Sequence, residues 1–385
     1  MNKIRFLTAG ESHGKGLAVI LDGIPAGLSI TRTEIDRDLA RRQRGFGRGG
    51  RMAIEKDRVE ILAGVRKGCT LGSPVALLVW NKDWENWKEV MEVEAGGISA
   101  PVTLPRPGHA DLAGSLKFGF RDIRNVIERA SARETASRVA AGAVVRKLLL
   151  FFGIKVYSRV VQIGPVIDSA EFLPSKGYPI IENSSLRCLS PRAEAEMTTL
   201  INRAKEKGDT LGGIFEVVVT GLPVGLGTYT QWDLRLDGRL AQGLMSIPGI
   251  KGVEIGAGFK SSGLPGSRVQ DEIFYSSRNG FYRKTNRAGG LEGGITNGEN
   301  LILRAAMKPI STLGRPLSTV DLATKKPASA HKERSDICAV PAAGIVGEAM
   351  AALILADAFL EKFGGDSLEE IKSNIKNDVL CHPER

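Results

Sequence analysis

RVEILAGV at residues 58–65 and PVALLVW at residues 74–80 are two short runs rich in Val, Ile and Leu, with Gly68 and Gly72 between them. Runs of this length and composition suit strands. A connection so short and so glycine-rich joins them as an antiparallel pair. The amino-terminal residues repeat the arrangement, with a strand over Ile4 to Leu7, a polar loop, and a strand over Leu17 to Leu21 that ends in the turn-rich DGIPAG at residues 22–27. Strands that arrive in hairpin pairs, separated by helices and without regular βαβ alternation, predict an α+β fold with antiparallel sheets rather than a doubly wound parallel sheet.

Thr33 with Asp36 three residues on predicts a capping box at the start of a helix that carries the basic cluster after Ala40 to its loop. From Arg124 to about Phe152 the spacing of Val126, Ile127, Ala130, Val139, Ala143 and Val144 predicts one long helix bounded by Gly153. Ser190 and Pro191 open another helix, which should stop near Gly208, and a strand over Ile214 to Thr220 follows. Trp232 to Ile247 is expected to be helical, Val253 to Ile255 a strand, and Asn286 to Asn300 a glycine-rich loop. Pro341 to Phe363 is apolar nearly all round, which predicts a buried helix ending at Gly364 and Gly365. A last helix starts at Ser367, with Glu370 three residues on. No repeat and no Pro/Ser-rich linker divides the chain. A single domain over residues 1–385 is therefore expected, with a tryptophan-bearing insertion at about 81–104 and a helical tail at about 366–385.

The 385 residues are 42% hydrophobic and 25% charged, which supplies a core and excludes whole-chain disorder, collagen and coiled coil. The most strongly apolar stretch, Ala351 to Leu360, is interrupted by Asp357 and falls short of the roughly 18 residues a membrane span needs. The amino terminus lacks the apolar core of a signal peptide, so a cytoplasmic location is expected, with no membrane partner. Cys69, Cys188, Cys338 and Cys381 are far apart, without CxxC or metal-ligand spacing. Reduced thiols and no bound metal are the expectation. No G-x-G-x-x-G follows a strand, and no Walker A sequence occurs. The net charge of +10 fits a nucleic-acid surface, a membrane surface or an enzyme that collects a small anion. Only the placement of the charge separates these.

His13 in GESHG and His109 in RPGHAD occupy glycine-flanked polar loops, and histidine is the side chain that exchanges a proton near neutral pH without special tuning. RRQRGFGRGGR, from Arg41 to Arg51, carries five arginines. By itself it reads equally as a solvated basic loop, a phosphate-binding segment for nucleic acid, or a clamp for a small polyanion. Arginine recurs in RASARET at residues 129–135 and in ERSD at residues 333–336. Dispersed arginine loops together with two candidate acid/base histidines favour a pocket for a multiply charged small molecule. The clusters AGGLEGG at residues 288–294 and GAG at residues 256–258 could let backbone approach a flat ligand, though tight turns would explain them equally.

Taken together and in this order, GESHG, RRQRGFGRGGRM, RPGHAD, RASARET, KGVEIGAGF, AGGLEGGITNG, MKPISTL and ERSD resemble chorismate synthase over nearly the whole chain, from Phe6 to about Leu360. The resemblance implies helices between two antiparallel sheets, a homotetramer, and the last step of the shikimate pathway. In that step 5-enolpyruvylshikimate 3-phosphate loses phosphate and a ring proton to give chorismate, with reduced FMN and no net redox change. It implies His13 as proton donor at the substrate phosphate, His109 as the acid near flavin N1, and Asp336 at flavin N5. Arg42, Arg48 and Arg133 are implied as anion-binding residues, assigned to the substrate in preference to a nicotinamide phosphate. Flavin contacts are implied for Arg129, Ala130 and Ser131, for Pro248, Gly249 and Gly293, for Lys308, Pro309, Ile310, Ser311 and Thr312, and for Arg334. The chain departs from the family at Ala130, where serine is frequent, at Pro248-Gly249, where Asn-Ala is common, and at Ile337. None of these removes a proton-transfer group. NADPH enters only if the protein reduces its own flavin, and no reductase segment is visible, so externally supplied reduced flavin is expected. The rival classes are a nucleic-acid-binding protein using the arginine loop, which leaves GESHG and RPGHAD unexplained, and a flavin oxidoreductase with net hydride transfer.

Overall fold

The computed structural model describes residues 3–49, 55–94, 100–278, 280–333 and 335–378. Arg51, Arg334 and Cys381 lie outside the described residues, as do residues 95–99 of the insertion and the tail beyond residue 378.

The two hairpins expected near the amino terminus form one sheet. Its order is Arg5–Ala9, Gly16–Asp22, Val75–Trp80, Val59–Ala63, antiparallel throughout. Alternation decides its faces: Leu17, Val19 and Leu21 with Val75, Leu77 and Val79 are buried, while Leu7, Ile20, Leu62 and Trp80 are exposed. A second, larger sheet runs Ile250–Ile255, Leu301–Met307, Gly213–Thr220, Lys155–Ile163, Val166–Ile167 and is also antiparallel. Three of its strands are missing from the sequence expectations: the short Val166–Ile167, and Lys155–Ile163 and Leu301–Met307, whose apolar pattern Arg159, Gln162 and Arg304 interrupt. The two arginines make a ladder across the strands. Glu216 on the middle strand accepts from Arg159 at 2.9 Å and from Arg304 at 2.8 Å.

Helices fill the space between the sheets. Arg32–Gln43 and Thr135–Phe151 pack towards the smaller sheet, Val340–Phe363 and Leu236–Met245 towards the larger, and Thr135–Phe151 lies against Val340–Phe363 in the middle. Gly142 permits that contact, since a Cβ there would fall 2.3 Å from Ala349 Cβ. This is the α+β fold with antiparallel sheets expected from the hairpin pairs, with the helices between two sheets as the resemblance implied. Val340–Phe363 runs beyond the apolar stretch singled out in the sequence and is long and apolar enough to cross a membrane, but here it is enclosed by protein.

Several local expectations are corrected. The capping box forms from Thr31 and Glu34, because Asp36 instead accepts the Val59 amide at 2.7 Å and ties the helix to its neighbouring strand. The long helix expected from residue 124 is two, Arg124–Arg129 and Thr135–Phe151, parted at Ala130 and Ser131. There the Ser131 hydroxyl accepts the Arg133 amide at 3.2 Å and caps a short 3₁₀ turn, a local alternative to helical bonding. Trp232 to Ile247 likewise divides at Arg235 into a turn and a helix, Leu236–Met245. The glycine-rich loop contains a small ribbon pairing Leu291–Glu292 with Ile295–Thr296. Helices Asp111–Phe118 and Pro174–Asn183 and the hairpin Ile273–Ser276 with Gly280–Arg283 have no counterpart in the sequence expectations. Pro191–Lys207 ends at left-handed Gly208 and Leu368–Asn377 starts at Ser367, both as expected.

Candidate active site

RPGHAD folds back on itself. Asp111, fully buried at the start of its helix, accepts from the Arg106 amide at 3.0 Å and from Arg106 Nε at 2.8 Å, and its Oδ1 lies 2.5 Å from His109 Nδ1. Burial alone would raise the Asp111 carboxyl, but the bonds from His109 and Arg106 outweigh it and hold the group far below the usual carboxylate range. The proton in the short contact therefore sits on His109 Nδ1, which leaves Nε2 as the atom able to exchange one. Lys308 and Ser311, from a different part of the chain, both donate to the Gly108 carbonyl, Ser311 at 2.9 Å. Burial, and then Lys251, draws the Lys308 ammonium below its ordinary value. Arg106 also donates to Thr312 at 3.0 Å and pairs with Glu333 at 3.5 Å.

GESHG is the loop between the first two strands. The His13 amide donates to Glu128 Oε2 at 2.7 Å, and Nδ1 lies 2.9 Å from Oε1 of the same buried carboxylate. Glu128 accepts from Arg124 at 3.3 Å, and Arg124 reaches Glu333 at 3.6 Å. Glu333 is thus shared by Arg106 and Arg124 and joins the two histidine clusters. Burial would raise the Glu333 carboxyl, but His331, Arg106 and Arg124 together hold it below its ordinary value.

The basic run divides sharply. Arg42 and Arg133 grip opposite oxygens of buried Asp57 at 2.8 and 2.5 Å, and they hold its carboxyl low against the burial that would raise it. Arg133 Nε donates to Asn81 Oδ1 at 2.9 Å, and the Asn81 amide donates to the carbonyls of Glu11 and Gly14, on either side of His13. Arg48 pairs with Asp336 Oδ2 at 2.9 Å, and Oδ1 accepts the Gly49 amide at 2.6 Å. A Cβ at Gly49 would come within 2.7 Å of the Ser335 carbonyl, so only glycine allows this approach. The expected clamp is therefore already paired with carboxylates. Arg42 Nε is the exception, buried without a hydrogen-bond acceptor among the described residues, while Arg133 Nη2 makes no hydrogen bond but pairs with the buried Glu55 carboxylate at 3.6 Å. Burial draws Arg42 below the usual guanidinium value, with Asp57 opposing and Arg133 and Arg48 adding to the effect.

The remaining candidates are placed unevenly. Gly249 accepts the Lys308 amide at 2.9 Å, which brings Pro248 and Gly249 to the Lys308–Thr312 segment, where the Ile310 carbonyl accepts from Thr210 at 2.8 Å. Arg129 is engaged by the carbonyls of Thr8 and Gly10, both at 3.1 Å. Gly293 sits in the small ribbon beside Tyr229, and no hydrogen bond joins it to the other candidates among the described residues. No group of three or more His, Cys, Asp or Glu is arranged to hold a metal among the described residues. A cavity of about 250 Å³ lined by Phe6, Arg239, Met350 and Asp357 contains none of these side chains.

The family model for chorismate synthase matches residues 4–360. The chain belongs to the chorismate synthase family. It is 58% identical to the chorismate synthase of Moorella thermoacetica over 97% of both chains. It is 55% identical to that of Aquifex aeolicus, over 98% of this chain and 97% of the relative. A crystal structure of chorismate synthase superposes with a TM-score of 0.77 at 46% identity, covering 97% of this chain and 96% of the other. Membership makes the protein a lyase of the last shikimate step, acting on a small-molecule substrate, and the family's chemistry calls for a reduced flavin.

In this chorismate synthase family member several side chains complete the site without a role among the sequence expectations. Asp111 and Arg106 stand inside RPGHAD, so their nearness to His109 was open to inspection. Glu333 opens the ERSD motif, but Glu128, Asp57 and Asn81 carry no such signal, because each meets its partner only through tertiary contact.

Proposed function

We propose that the chain converts 5-enolpyruvylshikimate 3-phosphate to chorismate and phosphate, with reduced FMN bound beside His109 and the substrate between His13 and the Arg42, Arg48 and Arg133 cluster. The observation that carries this reading is the pair of histidines, each with Nδ1 against a buried carboxylate, together with the buried Arg42 Nε that lacks an acceptor among the described residues. That orphan donor, within a cluster of arginines, fits a phosphate or carboxylate of such a substrate.

The donor set beside His109 also suits a flavin with a phosphate tail, since Lys308, Ser311 and Thr312 offer an ammonium and two hydroxyls next to Gly249. Arg129, Ala130, Ser131 and Gly293 would add contacts, as would Arg334. When bound, a reduced flavin would supply transient electron density to the substrate ring. His13 gives the Nε2 proton to the departing phosphate, which keeps the electron pair of the broken C–O bond. His109, with Nδ1 held by Asp111, would present Nε2 to the flavin as its proton donor. Asp336, held by Arg48 and Gly49, would take up the ring proton beside the flavin. The pair from the C6–H bond closes the new double bond and the C6 proton would end on the Asp336 carboxylate, so atoms and electrons balance without net oxidation.

The protein acts in the cytoplasm as a homotetramer of single-domain chains, taking its FMN already reduced and using no NADPH. Leu7, Ile20, Leu62 and Trp80, exposed together on the outer face of the smaller sheet, support burial against another copy. Light scattering reads that assembly directly.

The test of the chemistry is anaerobic phosphate release and chorismate formation with photoreduced FMN, beside an arm with NADPH and oxidised FMN. Turnover in the first arm alone is expected. His13→Ala and His109→Ala should each lower kcat by about 10²- to 10⁴-fold in protein that still folds. Near-wild-type turnover in both variants removes the acid/base assignment.

A further inference from the structure

Contacts close a ring around His13. Its Nδ1 meets Glu128 Oε1 at 2.9 Å, the same oxygen accepts from Arg124 at 3.3 Å, and the Arg124 guanidinium lies 5.0 Å over the Trp87 ring. The Trp87 ring in turn stacks on the His13 imidazole, with centroids 3.9 Å apart and planes 22° from parallel. The members come from the first hairpin loop, the insertion after the smaller sheet, and the helix Arg124–Arg129.

Glu128 controls one edge of the imidazole, and Trp87 controls its face. An edge contact alone leaves the ring free to tilt about the Nδ1 bond, and a face contact alone leaves it free to spin in plane. Together they fix the direction of Nε2. Trp87 is itself held, since its Nε1 donates to Asp83 at 3.2 Å, and Asn81 ties the start of the segment to Glu11 and Gly14. A tryptophan serving only as apolar filler would turn its faces to apolar neighbours, whereas an imidazole and a guanidinium meet this ring.

We propose that Trp87 is a positioning residue for His13, and that the insertion carries it to the site for this purpose. The proposal rests on His13 being the proton donor. Its effect then runs through His13 alone. In anaerobic turnover with photoreduced FMN, Trp87→Leu should lower kcat about tenfold or more while the substrate KM moves less than about threefold, because misplacement of a reacting group chiefly affects the chemical step. Trp87→Phe, which can still stack, should stay within about threefold of wild type. In a His13→Ala background, Trp87→Leu should change turnover by less than about twofold, the non-additivity expected of coupled residues. Should Trp87→Leu fail to fold by circular dichroism, Trp87→Gln takes its place in the same cycle.

Losses that multiply, a Trp87→Phe as impaired as Trp87→Leu, or an effect confined to KM would each overturn the proposal. If His13→Ala itself turns over normally, the donor assignment falls and the positioning role falls with it. A crippled His13→Ala with an additive cycle sinks the positioning role alone.

Discussion

Arg41 and Arg42 are neighbours at the end of one helix, both almost fully buried, yet they meet opposite surroundings. Arg41 takes a bidentate grip on Glu348, at 2.8 Å to each oxygen, and also reaches Glu182 at 2.8 Å and Asp38 at 3.2 Å. Arg146 and Arg187 join the same carboxylates, and Ser158 donates to Glu348 at 2.7 Å. Arg42 has Asp57 and a long contact to Thr135, and its Nε has no acceptor among the described residues. A saturated guanidinium holds helices together. One with an orphan donor, beside two more arginines, suits the anion-binding role proposed for it.

The largest break in this contrast should come from Glu348→Ala. It leaves Arg41, Arg146 and Arg187 without their shared, fully buried partner, and denaturant melts should lose about 3–5 kcal/mol. The folded fraction should keep wild-type turnover. Lost activity at unchanged stability would erase the distinction.

Arg42→Lys should do the opposite, since an ammonium keeps the charge but not the fork. Catalytic efficiency should fall by about 1.5–3 kcal/mol, or roughly tenfold to a hundredfold, with a smaller change in the melt. A variant that loses only stability would place Arg42 with Arg41.

Acid separates the regions as well. Burial would raise the Glu348 carboxyl, but Arg41, Arg146 and Arg187 bring it down from 4.5 to about 2. A depressed folded value stabilises above the unfolded one and is lost as pH falls through it. Stability owed to this group should be complete above about pH 4.5 and decline towards pH 2. Glu348→Gln should flatten that part of the stability profile, which pH-resolved melts would reveal.

The smallest effect belongs to an arginine of neither kind. Arg5 pairs with Asp22 at 2.7 Å on the exposed face of the smaller sheet. Arg5→Ala should alter stability by no more than about 1 kcal/mol and leave turnover unchanged, and a larger change in either would mean that exposure is a poor guide to role here.

Much of the fold was legible because its signals are local. The hairpin pairs, the buried Val340–Phe363 helix and the caps at Ser190 and Ser367 all depend on residues within a turn or two of each other. The strands Lys155–Ile163 and Leu301–Met307 were not legible, because their charges are satisfied across the sheet by Glu216. The break at Ser131 escaped notice because one hydroxyl outweighs a helical pattern that continues on both sides.

The site divides in the same way. Sequence alone determined the family and the chemical inventory, namely which histidines stand in glycine-flanked loops, where arginine is concentrated, and that antiparallel hairpins frame the helices. Tertiary structure decided which arginine is saturated and which is open, which carboxylate orients each histidine, and that Trp87 lies on His13. The reason is distance along the chain. Arg41 meets Glu348 across 307 residues and His13 meets Glu128 across 115, so no local pattern records either pairing, and only the packing of helices between two sheets brings the partners together.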